Sequence, residues 1–338
     1  MWNMTGLQAP FPWFGGKSRI ANRVWERFGD VPNYVEPFFG SGAVLLGRPE
    51  IGKIETVNDL DGFLANFWRA IALDPDSVAH WADWPVNECD LHARHSWLVS
   101  QRETLTARLM GDADFFDAKI AGYWVWGICS WIGSGWCSGN GPWIVQDGML
   151  VDRRKLPHLG DAGMGINRKR PHLGNAGQGI NRKRPHLGDA GRGEFIQEWF
   201  RDLSDRLRGV RVCCGDWQRV MGESVTVKHG LTAVFLDPPY ADTAKRCSDL
   251  YACDSLSVAH QVREWAIANG DNPKLRIALC GYEGEHAMPR DWKCLAWSTQ
   301  GGYQSQGRVP TENSKRERIW FSPNCLNEDT ESSASGVD

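Results

Sequence analysis

The chain has 338 residues, about twice a typical domain, so one large domain with an insertion and two modest domains both fit. Hydrophobic residues make up 42% and charged residues 23%, which excludes disordered and collagen-like compositions. A formal net charge of −3 excludes a uniformly basic nucleic-acid coat but permits a local basic patch. With no apolar run of about 18 residues and no basic-then-apolar N-terminus, a soluble cytoplasmic protein is expected, with no membrane partner.

Residues 33–36 (NYVE) predict a short strand that ends in the glycine turn of residues 37–42 (PFFGSG), and a helix opens at Ala43. Residues 53–58 alternate well enough for a second strand, stopped by Asn58 and Asp59. Phe63, Phe67, Trp68 and Ile71 then share one side of a helix. A β-α-β-α order of this kind predicts a parallel sheet with covering helices.

From residue 74 to 193 the pattern breaks. Two helix-like pieces precede the aromatic runs YWVW (residues 123–126) and WIGSGWC (residues 131–137). A repeat of period 14 follows: PHLGDAGMGINRKR (157–170), PHLGNAGQGINRKR (171–184) and the truncated PHLGDAGRG (185–193). Each copy has too few apolar residues for a core of its own, so an exposed loop array is expected. Residues 151–193 hold ten Lys or Arg against three Asp, which favours a polyanion partner over a merely solvated face. The cations recur as Arg153, Arg154, Lys155, then Arg168, Lys169, Arg170, then Arg182, Lys183, Arg184, a chemistry suited to DNA phosphates.

The parallel pattern resumes with one apolar stripe (Phe195, Ile196, Trp199, Phe200, Leu203, Leu207). Strands are expected at 210–214, 231–236, 275–280 and 318–321, with a helix at 256–268. The division is therefore one α/β domain built from residues 1–73 and 194–325, an insert at 74–193, and an acidic, serine-rich tail at 326–338. The ten cysteines contain no Cys-x-x-Cys, so reduced thiols and no metal site are expected. Most of the 18 tryptophans are expected in packing, with those in glycine-rich stretches free to stack on something planar.

Two glycine signatures stand near the N-terminus. Gly15, Gly16, Lys17 and Ser18 resemble the end of a phosphate-binding loop, but Phe11 stands where its first glycine belongs. Residues 36–42 sit at a strand end, where backbone can approach a ligand. Asp59 ends the next strand, and there an acid can accept both ribose hydroxyls of an adenosine cofactor or cap the following helix. Asp237, Pro238, Pro239 and Tyr240 follow a buried strand, and the two prolines remove backbone donors and fix the chain at the sheet's carboxyl edge.

Taken in order, WFGGK (13–17), YVEPFFGSG (34–42), Asn58 with Asp59, DPPY (237–240) and KRERIWFSP (315–323) resemble the DNA adenine methylase family, in the alpha motif order of its phage-like members. The resemblance covers roughly residues 10–72 and 195–323. It implies a Rossmann-like S-adenosylmethionine-dependent methyltransferase sheet interrupted by a target-recognition insert, with double-stranded DNA as substrate. It places Trp13, Lys17, Glu36, Phe38, Gly40, Gly42, Asp59, Asp216 and Asp237 at the cofactor. Asp237, Pro238, Pro239 and Tyr240 become the catalytic set, acting on N6 of a flipped adenine with Tyr240 as a stacking face. N4-cytosine methylation uses the same exocyclic-amine chemistry and is the nearest alternative. A non-catalytic DNA-binding protein and an RNA methyltransferase are the others.

Overall fold

The computed structural model describes residues 7–13, 15–112, 114–131, 136–137, 143–146, 149–152, 194–240, 257–297 and 316–327. The repeats, all three basic clusters and nearly all of the acidic tail lie outside the described residues.

The centre is a seven-stranded sheet in the order β5-β2-β1-β6-β7-β9-β8. Strands β1 (Asn33–Glu36), β2 (Ile54–Asp59), β5 (Val210–Cys214), β6 (Thr232–Leu236) and β7 (Leu275–Tyr282) run parallel. Strand β9 (Glu317–Phe321) runs antiparallel between β7 and β8 (Lys293–Ala296), which had no clear sequence signal. A separate antiparallel pair, β3 (Trp143–Gln146) and β4 (Met149–Asp152), lies in the interrupted stretch, where no strand was expected.

Both faces of the sheet are covered, and the side chains divide between them with the strand period of two. Tyr34, Phe235, Ala278, Ile319 and Phe321 enter one core, while Val35, Val234, Leu236, Ile277, Leu279 and Trp320 enter the other. On the first face pack α1 (Ala21–Phe28), the short α2 (Ala43–Leu46), α3 (Gly62–Leu73) and α7 (Glu194–Leu207). On the second packs α8 (Val258–Asn269), through Val262 and Ala266. In α7, Ile196, Phe200, Leu203 and Leu207 are buried, whereas Phe195 is exposed and lies off the stripe expected from sequence.

Helices α4 (Pro75–Ala82), α5 (Glu88–Gly111) and α6 (Ala118–Ser130) fill the first part of the break in the pattern. Val78, Leu98, Leu105, Ile120 and Trp124 join the same core as Phe67 and Phe200, so residue 74 is a break in pattern but not in packing. Trp124, Trp126 and Trp131 are buried. These three rings are packing residues, because the core beside α3 takes up Trp124 and a smaller cluster with Leu91 takes up Trp126 and Trp131.

A buried ion cluster ties α7 to the sheet. Glu55 on β2 accepts from Arg206 at 2.7 and 3.0 Å and from Arg48 at 3.0 Å. All three side chains are at most 4% exposed.

Candidate active site

In a parallel sheet, ligands bind beyond the carboxyl ends of the strands, at the point where strand order reverses. Here that point lies between β1 and β6, since the chain passes from β1 outward to β2 and returns on the other side with β6. Four acids stand at or just past such ends: Glu36 on β1, Asp59 on β2, Asp216 after β5 and Asp237 after β6. Val35 pairs with Val234, so Phe38 and Asp237, each three residues on, leave the sheet side by side.

The glycine turn is fixed from both sides. The Gly40 N–H donates to Asp59 Oδ2 at 3.0 Å, and the Gly40 carbonyl accepts from the Trp68 indole at 3.0 Å. Gly40 has φ +50°, and a β-carbon there would lie 2.5 Å from the Trp13 indole nitrogen. Glycine is thus required twice, by conformation and by the approach of Trp13. Gly42 also has positive φ and caps α2. Glu36 is buried, accepts the Tyr34 hydroxyl at 2.8 Å, and is pushed well above the usual carboxylate range by burial. The Leu45 backbone also holds it.

Asp59 does not cap the following helix. Its Oδ1 accepts the Asp61 N–H at 3.0 Å, and Asp61 is the cap of α3, accepting from the Phe63 N–H at 2.9 Å. Burial raises the Asp59 carboxyl to about 6, against the lowering effect of the Gly40 and Asp61 N–H groups. Asp216 caps the single-turn helix Trp217–Val220 by accepting from Gln218 N–H at 2.9 Å. Beside it, Trp217 stacks on Phe38 with ring centres 6.1 Å apart.

Lys17 leaves the neighbourhood of a phosphate loop altogether and enters the β6 edge. Its Nζ donates to the Gly15 carbonyl at 2.8 Å and to the Tyr240 hydroxyl at 3.3 Å, and pairs with Asp237 Oδ2 at 2.7 Å. An ammonium has three N–H donors, so these three acceptors satisfy it. Burial lowers its pKa, but Asp237 and Glu317 outweigh that effect and hold it above the ordinary lysine value. Lys17 is charged.

Tyr240 departs from its expected role. It is 7% exposed, its ring meets Tyr282 edge to face at 4.6 Å, and its hydroxyl donates to Glu317 at 2.8 Å. The hydroxyl also lies 3.2 Å from Asp237 Oδ1. An open platform for a base is therefore not presented by this ring, because its polar tip is drawn inward by charged groups. Pro238 is buried and Pro239 half-buried beside it.

Sequence reasoning missed Glu317 and Tyr34. Both were detectable from period two: Glu317 alternates with the inward Ile319 and Phe321, and Tyr34 lies two residues from Glu36 on one strand. Among the described residues no group of His, Cys, Asp and Glu is placed to hold a metal ion, and no helix is long and apolar enough to cross a membrane.

A mixed α/β protein with a seven-stranded sheet and acids at its parallel strand ends is consistent with a methyltransferase fold. Residues 13–84 match the family model of the D12 class N6 adenine-specific DNA methyltransferases. For that segment, the match supports a relation to the adenine methylase family and to its adenine-specific DNA methylation. The matched segment spans Trp13, Lys17, the glycine turn and Asp59, and ends before Asp237. No curated protein matches the chain.

Proposed function

We propose that this protein transfers a methyl group from S-adenosylmethionine to N6 of an adenine turned out of duplex DNA, on a Rossmann-like sheet. The observation that carries the reading is the position of Asp237, beside the glycine turn of β1 and anchored by Lys17 at 2.7 Å.

The residues present fit the cofactor. Each Asp59 oxygen accepts one backbone N–H, and a carboxylate has about four acceptor positions, so capacity remains for ribose hydroxyls. Phe38 and Trp217 provide apolar ring surface beside Asp216, suited to an adenine. Trp13, packed over Gly40, and Lys17 would bound the other end of the site. When bound, the cofactor supplies an electrophilic methyl group on a positively charged sulfur.

The chain's own residues prepare the nucleophile. The N6 lone pair of adenine is delocalised into the ring, so the amine is a weak nucleophile. Asp237 Oδ1 and the Pro238 carbonyl would accept its two hydrogens and favour a pyramidal nitrogen with its lone pair directed at the methyl group. A carboxylate is far too weak a base to deprotonate a neutral aryl amine, so the proton leaves with or after methyl transfer. Lys17 holds the other Asp237 oxygen, and the acceleration comes from orientation and charge placement.

The insert at 74–193 would carry target recognition, and the clusters at Arg153, Arg168 and Arg182 would contact phosphates. Transfer of labelled methyl to unmethylated DNA, followed by chromatography of the nucleosides, tests the reading. Label in N6-methyladenine supports it. Label in N4-methylcytosine, label on RNA alone, or no transfer supports one of the alternatives instead.

A further inference from the structure

The inference rests on Asp237 as the acceptor of the target amine, and it concerns a residue outside the segment matched to the family. Glu317 pairs with Tyr282 across β9 and β7 and is 3% exposed. By alternation it shares a face with Ile319 and Phe321, both in the core. A carboxylate at such a position needs a donor, since burial without one costs several kcal/mol. The donor is the Tyr240 hydroxyl, at 2.8 Å.

That hydroxyl stands among three charged groups. Its oxygen accepts from Lys17 at 3.3 Å, and it lies 3.2 Å from Asp237 Oδ1. Burial, with Asp237 and Glu317 nearby, pushes its pKa well above 10, so it keeps its proton. A phenol has one proton, which can serve Glu317 or Asp237 but not both at once. The shorter contact is to Glu317. Asp237 Oδ2 is already held by Lys17 at 2.7 Å. If the phenol turned to Oδ1, it would compete with an incoming amine for that oxygen and weaken it as an acceptor, although one lone pair would remain.

We propose that Glu317 is a positioning residue for methyl transfer: by taking the Tyr240 proton it leaves Asp237 Oδ1 open to the target amine. It acts through Tyr240 and touches no reacting atom. A purely structural Glu317 would make no such link between the phenol proton and the rate.

Single-turnover methyl transfer, at saturating S-adenosylmethionine and DNA, tests this in wild type, Glu317→Ala, Tyr240→Phe and the double variant. Glu317→Ala is expected to be at least about tenfold slower, the effect of one strong hydrogen bond at the wrong oxygen. Tyr240→Phe, which keeps the ring and lacks the competing proton, should lose less than Glu317→Ala, and the double variant should recover to about the Tyr240→Phe rate. Cofactor affinity should change less than about twofold throughout. A double variant as slow as Glu317→Ala, or slower, overturns the proposal. Glu317→Gln keeps the volume and an acceptor oxygen, which guards against loss of fold in the alanine variant. It should remain within about threefold of wild type, and a loss of about tenfold there also overturns the proposal. If wild type methylates no adenine, the enzymatic reading itself fails, which no pattern among the variants can mimic.

Discussion

Lys17 Nζ stands 2.7 Å from Asp237 Oδ2, joining the loop before α1 to the loop after β6. The pair brings the first motif of the chain against one of the last, and it orients the carboxylate on which the proposed chemistry depends. Asp237 is 24% exposed while Lys17 is buried, so the lysine anchors from inside and the acid keeps part of its surface open.

Asp237→Ala should lower single-turnover methyl transfer by at least about a hundredfold, since positioning and electrostatics supply most of the acceleration. The far-ultraviolet circular dichroism should stay unchanged, because the residue sits at a strand end. A rate within about tenfold of wild type would remove Asp237 from the reaction.

With Asp59 on the ribose as proposed, cofactor binding should depend on pH. Its carboxyl is raised to about 6 by burial, so the folded protein holds a proton there between about pH 4 and 6 that the unfolded chain would release. The stability that this group contributes is therefore present at low pH and lost as pH rises through 6. Ribose hydroxyls prefer the ionised form, so affinity should move the opposite way. Calorimetry should show S-adenosylmethionine affinity about tenfold weaker at pH 5 than at pH 7.5, and Asp59→Asn should be weaker and flat across that range. A flat wild-type profile would mean that Asp59 serves only the Gly40 turn.

Gly40→Ala should be costly for two separate reasons. The φ of +50° disfavours any β-carbon, and this one would meet Trp13 at 2.5 Å. A loss of about 1–3 kcal/mol is expected in denaturant unfolding, with weaker cofactor binding. Stability equal to wild type would show that the turn and Trp13 relax without penalty.

Glu55 is the buried partner of both Arg48 and Arg206. Glu55→Ala leaves two guanidinium groups unpaired in the interior and should cost about 3–5 kcal/mol by denaturant titration. A loss below about 1 kcal/mol would show that water reaches the cluster and replaces the carboxylate.

Deleting residues 171–184 removes Arg182, Lys183 and Arg184 with one repeat copy. If all three touch phosphates, the slope of log affinity against log salt should fall by up to about three units, with the methylated sequence unchanged. A changed target sequence at constant slope would mean that the repeats read bases.

The sequence alone determined the parallel strands, the glycine turn and the acids that end them. Those features are local: alternation, turn residues and apolar stripes are written in a few neighbouring positions, and β1, β2, β5, β6, β7 and β9 fell close to where that pattern put them. Strand β8 was not legible, because Lys293–Ala296 is a short, exposed edge with little apolar signal. Trp131, in a glycine-rich run where stacking was expected, is a packing residue like Trp124 and Trp126, since composition does not say which ring finds a neighbour. The tertiary structure decided the charged centre. Lys17, Asp237, Tyr240 and Glu317 meet because β9 inserts antiparallel beside β7 and the N-terminal loop folds over the end of β6. Only strand order and register bring such distant residues within hydrogen-bond range, and neither is encoded in any single stretch of chain.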